Sequence, residues 1–147
     1  MKKVILAALV AVALQASAFA APTPNITEKV MKAFTTTFNS ASDIQWSEGN
    51  GVYEARFTYN ELITRVRYDA EGNTLQTIRY YHEQQLPLSV FSKVKKEYAG
   101  QKIHSVTEVS SGDTIEYHIT LEDETSWTKV IGDNMGGLRE DKKLKKA

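Results

Sequence analysis

Three histidines, His82, His104 and His118, and the complete absence of cysteine narrow the chemistry open to this chain. No histidine stands in the H-E-x-x-H arrangement of a helical metal site. Without thiols, neither thiolate-bound zinc nor a cysteine nucleophile is available. The run Glu122-Asp123-Glu124 could attract calcium, which takes oxygen ligands, but it lacks the spaced Asp/Asn-Gly loop of a dedicated site and reads as a solvated turn. Ser110-Ser111-Gly112-Asp113 is not a nucleophile elbow, since no G-x-S-x-G is present. Gly136-Gly137 is read as a turn, not a phosphate loop. His118 alternates onto a polar strand face and reads as a surface residue. These residues define neither an enzyme nor a cofactor or metal site. What remains is recognition chemistry: Arg56, Arg65 and Arg67 as anion-pairing guanidiniums, Trp127 as an aromatic anchor, and Tyr81 at the margin.

The N-terminus carries an export pattern. Lys2 and Lys3 are a basic opening, Val4 to Leu14 is an uncharged apolar run, and Ala18-Phe19-Ala20 has the small-x-small form of a cleavage site. The apolar run is far shorter than the ~20 residues that span a bilayer. A signal peptide over 1–20 and a mature N-terminus at Ala21 are expected, with a periplasmic or secreted product and no membrane insertion after cleavage. Net charge is zero over the 147 residues, so loss of Lys2 and Lys3 leaves the mature chain acidic by two. That balance is not the strongly basic one of a nucleic-acid binder. With no disulfides, stability must come from packing, which about 127 residues can supply.

Periodicity sets the elements that must position the recognition residues. Asn25 with Glu28 three residues on resembles a capping box. Ile26, Val30, Phe34 and Phe38 then form one apolar stripe on a helix ending near Asn39. A second helix is expected from Leu86-Pro87, with the stripe Leu86, Val90, Phe91, Val94 and Tyr98, and Gly100 at its left-handed end. Tyr53, Ala55, Phe57 and Tyr59 share one strand face, and Ile115, Tyr117, Ile119 and Leu121 another. Glu54, Arg56, Thr58 and Thr114, Glu116, His118, Thr120 take the opposite faces. Such alternation describes an antiparallel sheet covered on one side. Asn60-Glu61, Asp69 to Asn73 and Glu122 to Glu124 are turns. Arg139 to Ala147 is read as a charged, fraying tail, and its lysines, Lys142 to Lys146, as solvent-exposed.

The chain also says the same thing twice. Residues 26–81 read helix, Trp-bearing strand, hairpin, turn, strand, and 86–138 follow the same order roughly sixty residues later, within the period range of structural repeats. Val30, Phe34 and Phe38 fall opposite Val90, Val94 and Tyr98, and Tyr53 to Thr58 opposite Ile115 to Thr120. With Leu62, Thr64, Val66 and Tyr68 facing the helices, Arg65 and Arg67 face away; the repeat offset then sets Trp127 at the place of Arg65 and Lys129 at that of Arg67. Phe34, Phe57, Val94 and Ile119 are expected in one continuous core.

The first unit resembles the PepSY-like family of exported bacterial proteins, described as β-lactamase-inhibitor-like. The likeness lies in Val30-x-x-x-Phe34-x-x-x-Phe38, Ala41-Ser42-Asp43-Ile44-Gln45-Trp46, Tyr53-Glu54-Ala55-Arg56-Phe57 and Tyr68-Asp69-Ala70-Glu71-Gly72-Asn73. The second unit departs from it, with Ser105 or Val106 where Trp46 stands and Gly132-Asp133-Asn134 in place of the Asp-x-x-Gly turn. The resemblance implies a tandem helix-plus-antiparallel-sheet fold without catalytic residues. A protein similar to this family grips a β-lactamase with its concave sheet face.

The expectation is thus an α+β domain over residues 21–147: two repeats forming one sheet, two helices on one face, and a charged C-terminal tail. It binds an exported or envelope protein or peptide through the open face and inhibits it in one version of this reading. The alternative is a small-ligand or envelope-polymer binder with a pocket between sheet and helices.

Overall fold

A computed structural model describes residues 24–147; the leader and its cleavage after Ala20 lie outside the described residues. Helix α1 (Glu28–Thr37) leads into strands β1 (Ser42–Gly49), β2 (Val52–Tyr59), β3 (Leu62–Tyr68) and β4 (Thr74–Tyr81). A 3-10 turn (Glu83–Gln85) then leads to helix α2 (Leu88–Glu97) and strands β5 (Lys102–Ser111), β6 (Thr114–Glu122), β7 (Ser126–Asp133) and β8 (Leu138–Lys145). All eight strands form one antiparallel sheet in sequence order, an α+β fold.

Helix α1 is capped by Thr27, not Asn25. The Thr27 hydroxyl accepts the Val30 amide at 3.2 Å and donates to the Ala70 carbonyl at 3.3 Å, so one side chain satisfies a helix end and ties it to a turn. Helix α2 begins one residue after Pro87, which occupies the cap position but offers no side-chain acceptor. Asn50 with Gly51, and Asn60 with Glu61, both take positive φ, the primed geometry that joins twisted antiparallel strands through two residues.

Cross-strand partners run Phe57, Thr64, Arg79, Glu108, Tyr117, Gly132, so these six share a sheet face. On that face Val30 and Phe34 of α1 pack with Ala55, Phe57, Val66 and Tyr68. Val90 and Val94 of α2 pack with Val106, Tyr117, Ile119, Leu121 and Val130. Both helices therefore cover the same side, and the strand parity expected from the sequence holds on β2, β3, β6 and β7.

The expected single core is instead two clusters. Between them the covered face turns polar: Thr64 and Glu108 are buried there, and Arg79 lies over β4 with Nε donating to Glu108 Oε1 at 3.0 Å. A charged pair has to be kept hydrogen-bonded, so it parts the apolar packing.

The C-terminal segment does not fray. Leu138–Lys145 pairs with β7 through seven registered partners, as an edge strand of the sheet. Its sequence, LREDKKLK, has the charge density that guards a free edge against another strand, which is why it reads as a tail.

Two turns between strands match in detail. In the β3–β4 turn the Asp69 carboxylate accepts the amides of Glu71 (3.0 Å) and Asn73 (2.9 Å), and Gly72 has φ +86°. In the β7–β8 turn the Asp133 carboxylate accepts the amides of Met135 (2.8 Å) and Gly137 (2.8 Å), and Gly136 has φ +84°. The Asp-x-x-Gly turn is thus present in both halves, and Gly132-Asp133-Asn134 does not replace it. Each turn leans on the first turn of its helix, Gly72 on Lys29 and Gly136 on Ser89.

Candidate functional site

The uncovered face can be read row by row from the strand register. One row runs Gln45, Arg56, Arg65, Ile78, Val109, Glu116 and Asp133. The next runs Thr58, Ile63, Tyr80, Thr107, His118 and Ile131. Arginines therefore flank one side of a strip of Ile63, Ile78, Tyr80 and Val109, in which Ile63 is 44% exposed.

Arg56, Arg65 and Arg67 are brought together on β2 and β3. Arg56 stands directly opposite Arg65, and Glu54 opposite Arg67. Arg65 Nε donates to Glu54 Oε1 at 3.0 Å, and Arg67 Nε lies 3.6 Å from Glu54 Oε2. Arg65 Nη1 also reaches the Tyr80 hydroxyl at 3.5 Å. Tyr80 and then Glu54 hold the Arg65 guanidinium above its ordinary pKa, so it stays charged throughout.

Trp127 faces the same side but lies apart from the arginines, since β4, β5 and β6 intervene between β3 and β7. At ~4.8 Å per strand that is roughly 19 Å. Its ring is half-buried, with two neighbours on it. Lys146 Nζ stands 4.8 Å from the ring centroid, and the His104 ring meets it edge-on at 4.8 Å. Glu122 joins the three, with Lys146 Nζ at 2.7 Å and His104 Nδ1 at 3.4 Å, and the Lys146 hydrogen bond is the main cause that lowers the Glu122 pKa.

Tyr81 does not lie at the margin of this face. It is 6% exposed on the covered side, and its hydroxyl donates to Glu108 Oε2 at 2.7 Å. Burial first, and Glu108 second, drive its pKa strongly upward. Residue 81 has the parity of Arg79, opposite to Tyr80, so register separates the two tyrosines to different faces. Sequence reading gave the stretch Arg79 to His82 a weaker recognition signal without separating Tyr80 from Tyr81 by face, and it missed Ile78. Their alternation on β4 was the available signal.

Two depressions bear on the alternative reading. One, of about 500 Å³, opens at the strand ends among Asn60, Ile63, Tyr80, His82, Gln85 and Thr107. The other, about 250 Å³, lies on the helix side among Phe38, Tyr59, Leu62, Thr64, Thr77 and Arg79. Among the described residues no cluster of His, Asp and Glu has the grouping of a metal site. Among them also, no helix is long and apolar enough to cross a membrane.

Neither family models nor curated proteins match this chain. Solved structures do. A BLIP-like protein from Bacteroides fragilis superposes with a TM-score of 0.68 at 19% identity, covering 84% of this chain and 90% of that one. A Bacteroides eggerthii protein, described provisionally as periplasmic, gives 0.64 at 17% identity over 83% and 90%. A DUF2874 family protein from Bacteroides ovatus gives 0.64 at 18% identity over 80% and 89%. This chain shares the BLIP-like fold.

Proposed function

We propose that this chain is an exported, non-enzymatic binding protein that holds a protein or peptide partner on the open face of its sheet, where occupancy can inhibit that partner. The observation that carries the reading is the asymmetry of the sheet. Both helices cover one face, and the other presents Arg56, Arg65 and Arg67 beside Ile63, Ile78 and Tyr80. The BLIP-like fold supports it, as does the export pattern of the leader, which points to the periplasm or the exterior. The depression on the helix side is about 250 Å³ and the one of about 500 Å³ opens at the strand ends, so neither is an enclosed cavity between sheet and helices, and the small-ligand alternative stands second.

The same reading treats the domain as a PepSY-like tandem repeat, and the matching Asp69 and Asp133 turns support it. Anchored on those turns, Thr64 aligns with Thr128, both buried, and Phe57 aligns with Leu121. Trp46 then aligns with Val106, because β5 and β6 extend the second hairpin. Trp127 takes the place of Ile63 and Lys129 that of Arg65, two residues along from the equivalences expected from sequence. The shift is even, so the faces are unchanged.

The cysteine-free sequence makes a direct test available. Thr107→Cys on the open face and Lys96→Cys on α2 are each coupled to a maleimide polyethylene glycol and used as bait in the native envelope fraction. Loss of the captured partner with the Thr107 conjugate alone is the expected result. Equal capture by both conjugates would sink the reading.

A further inference from the structure

We infer that the partner presents carboxylates flanking an apolar or aromatic side chain, received by the arginines of β2 and β3 and the strip of Ile63, Ile78, Tyr80 and Val109; this rests on the binding function proposed above. Arg65 and Arg67 share a single carboxylate, Glu54, and Arg56 stands opposite Arg65 beside them. Glu54 is committed chiefly to Arg65; Arg67 reaches it only at 3.6 Å, and Arg56 has no ion pair among the described residues. Like charges directly opposite across a strand pair destabilise a sheet, and Arg56 and Arg65 are such a pair. They concentrate positive charge on one face of a chain whose residues after Lys2 and Lys3 are acidic by two. An incoming carboxylate relieves that repulsion, and the arginine fork binds carboxylates in two-point fashion.

A second copy of this chain does not fit the same face. Lys129, Lys142 and Arg139 carry positive charge across β7 and β8. The acids of that face, Glu116 and Asp133, already have donors of their own chain beside them. Glu116 lies within 3.8 Å of Arg139 and 3.3 Å of His118, and Asp133 is bound by the amides of its own turn. Docking two such faces sets like signs against each other. The exposed Ile63 beside Tyr80 supplies the seat for an apolar residue between the partner's carboxylates.

The probes are two synthetic hexapeptides, one with two glutamates on either side of a central phenylalanine pair and the other with glutamines in their place. Isotope-labelled protein (residues 21–147) is titrated with each and followed by amide chemical shifts. The glutamate peptide is expected to move the amides of Arg56, Arg65, Arg67 and Tyr80, and to bind at least tenfold more tightly than the glutamine peptide. Raising the salt from 50 to 300 mM is expected to weaken it severalfold. Arg56→Gln with Arg65→Gln is expected to abolish the tenfold preference, and Arg65→Lys to keep part of it, each with an unchanged unfolding midpoint. Equal binding of the two peptides, or a preference that survives the double substitution, overturns the inference. So does stronger binding of an oligodeoxynucleotide of equal charge, which would assign the face to polyanions. If the Thr107 conjugate blocks partner capture while the arginine variants do not, the charge inference fails and the open-face reading stands; if the conjugate has no effect, the reading itself fails.

Discussion

The phenolic oxygen of Tyr81 lies 2.7 Å from Glu108 Oε2, on the covered face and beneath the divide between the two apolar clusters. Glu108 is 5% exposed and is held from the other side by Arg79, whose own side chain remains 47% exposed. A buried carboxylate with two donors is well satisfied. Taking it away leaves a hydroxyl and a guanidinium without their acceptor.

Glu108→Ala is therefore expected to cost about 2–3 kcal/mol, below the usual buried-pair penalty because Arg79 can turn to water. Replacing both partners, Arg79→Met with Glu108→Leu, is expected to cost less than the single substitution. Urea denaturation of the three proteins checks this. A double variant less stable than Glu108→Ala would show that the pair does more than satisfy itself.

Tyr68 gives a second prediction, at alkaline pH. Burial in the first cluster pushes its pKa up to about 12, and its hydroxyl has no hydrogen-bond partner among the described residues. The folded state keeps the proton after the unfolded chain has lost it near pH 10. This contribution is thus fully present below pH 10 and is lost as pH rises toward 12, by on the order of 2 kcal/mol. Tyr68→Phe removes an unsatisfied buried oxygen and is expected to unfold at an equal or higher midpoint at pH 7 and to fall less between pH 9 and 11.5. A wild-type pH dependence in the variant would assign the effect elsewhere.

The two Asp-x-x-Gly turns should respond unequally to alanine. At Gly136 an added Cβ meets nothing closer than 3.9 Å, so Gly136→Ala pays only for positive φ, about 1 kcal/mol. At Gly72 the same Cβ lands 2.8 Å from the Lys29 carbonyl oxygen, and helix α1 or the turn must shift. Gly72→Ala is expected to cost at least twice as much by thermal or chemical unfolding. Equal losses would mean that the turn and α1 separate freely.

Phe57→Ala should cost ~3–5 kcal/mol, since the ring is 2% exposed and meets Phe34 edge-on at 4.9 Å. Trp127→Ala should stay within about 1 kcal/mol of wild type, losing the Lys146 and His104 contacts at the sheet's edge. Once a partner is in hand, its affinity for Trp127→Ala reports whether the half-buried indole takes part in binding. A large stability loss at Trp127 would make it structural.

The parity of Tyr53 to Tyr59 and of Ile115 to Leu121 made the covered face legible, because alternation needs no knowledge of partners. The arginine cluster followed from the same count. Distances between strands did not: nothing local places Trp127 three strands beyond the arginines' nearest neighbour or puts Lys146 on its ring. Tyr81 went astray because its neighbours Arg79 and His82 look like surface, although Arg79 in fact turns onto the covered side to meet Glu108. The second Asp-x-x-Gly turn, Asp133 to Gly136, is written in the sequence, but only the amides that the Asp133 carboxylate accepts mark it as a match to the Asp69 turn. β8 was lost because hydrophobicity marks cores, whereas an edge strand carries charge.

Every strand pairs only with the strands that precede and follow it in the chain. Apart from the β4–β5 pairing, whose strands are joined through the 3-10 turn and α2, each new hairpin needs only a short loop to close before its pairing begins to compensate the lost entropy. For a chain read as exported, which would regain its structure beyond the membrane without disulfides to fix partial order, a sheet that zips from turn to turn limits the time its strand edges stand bare.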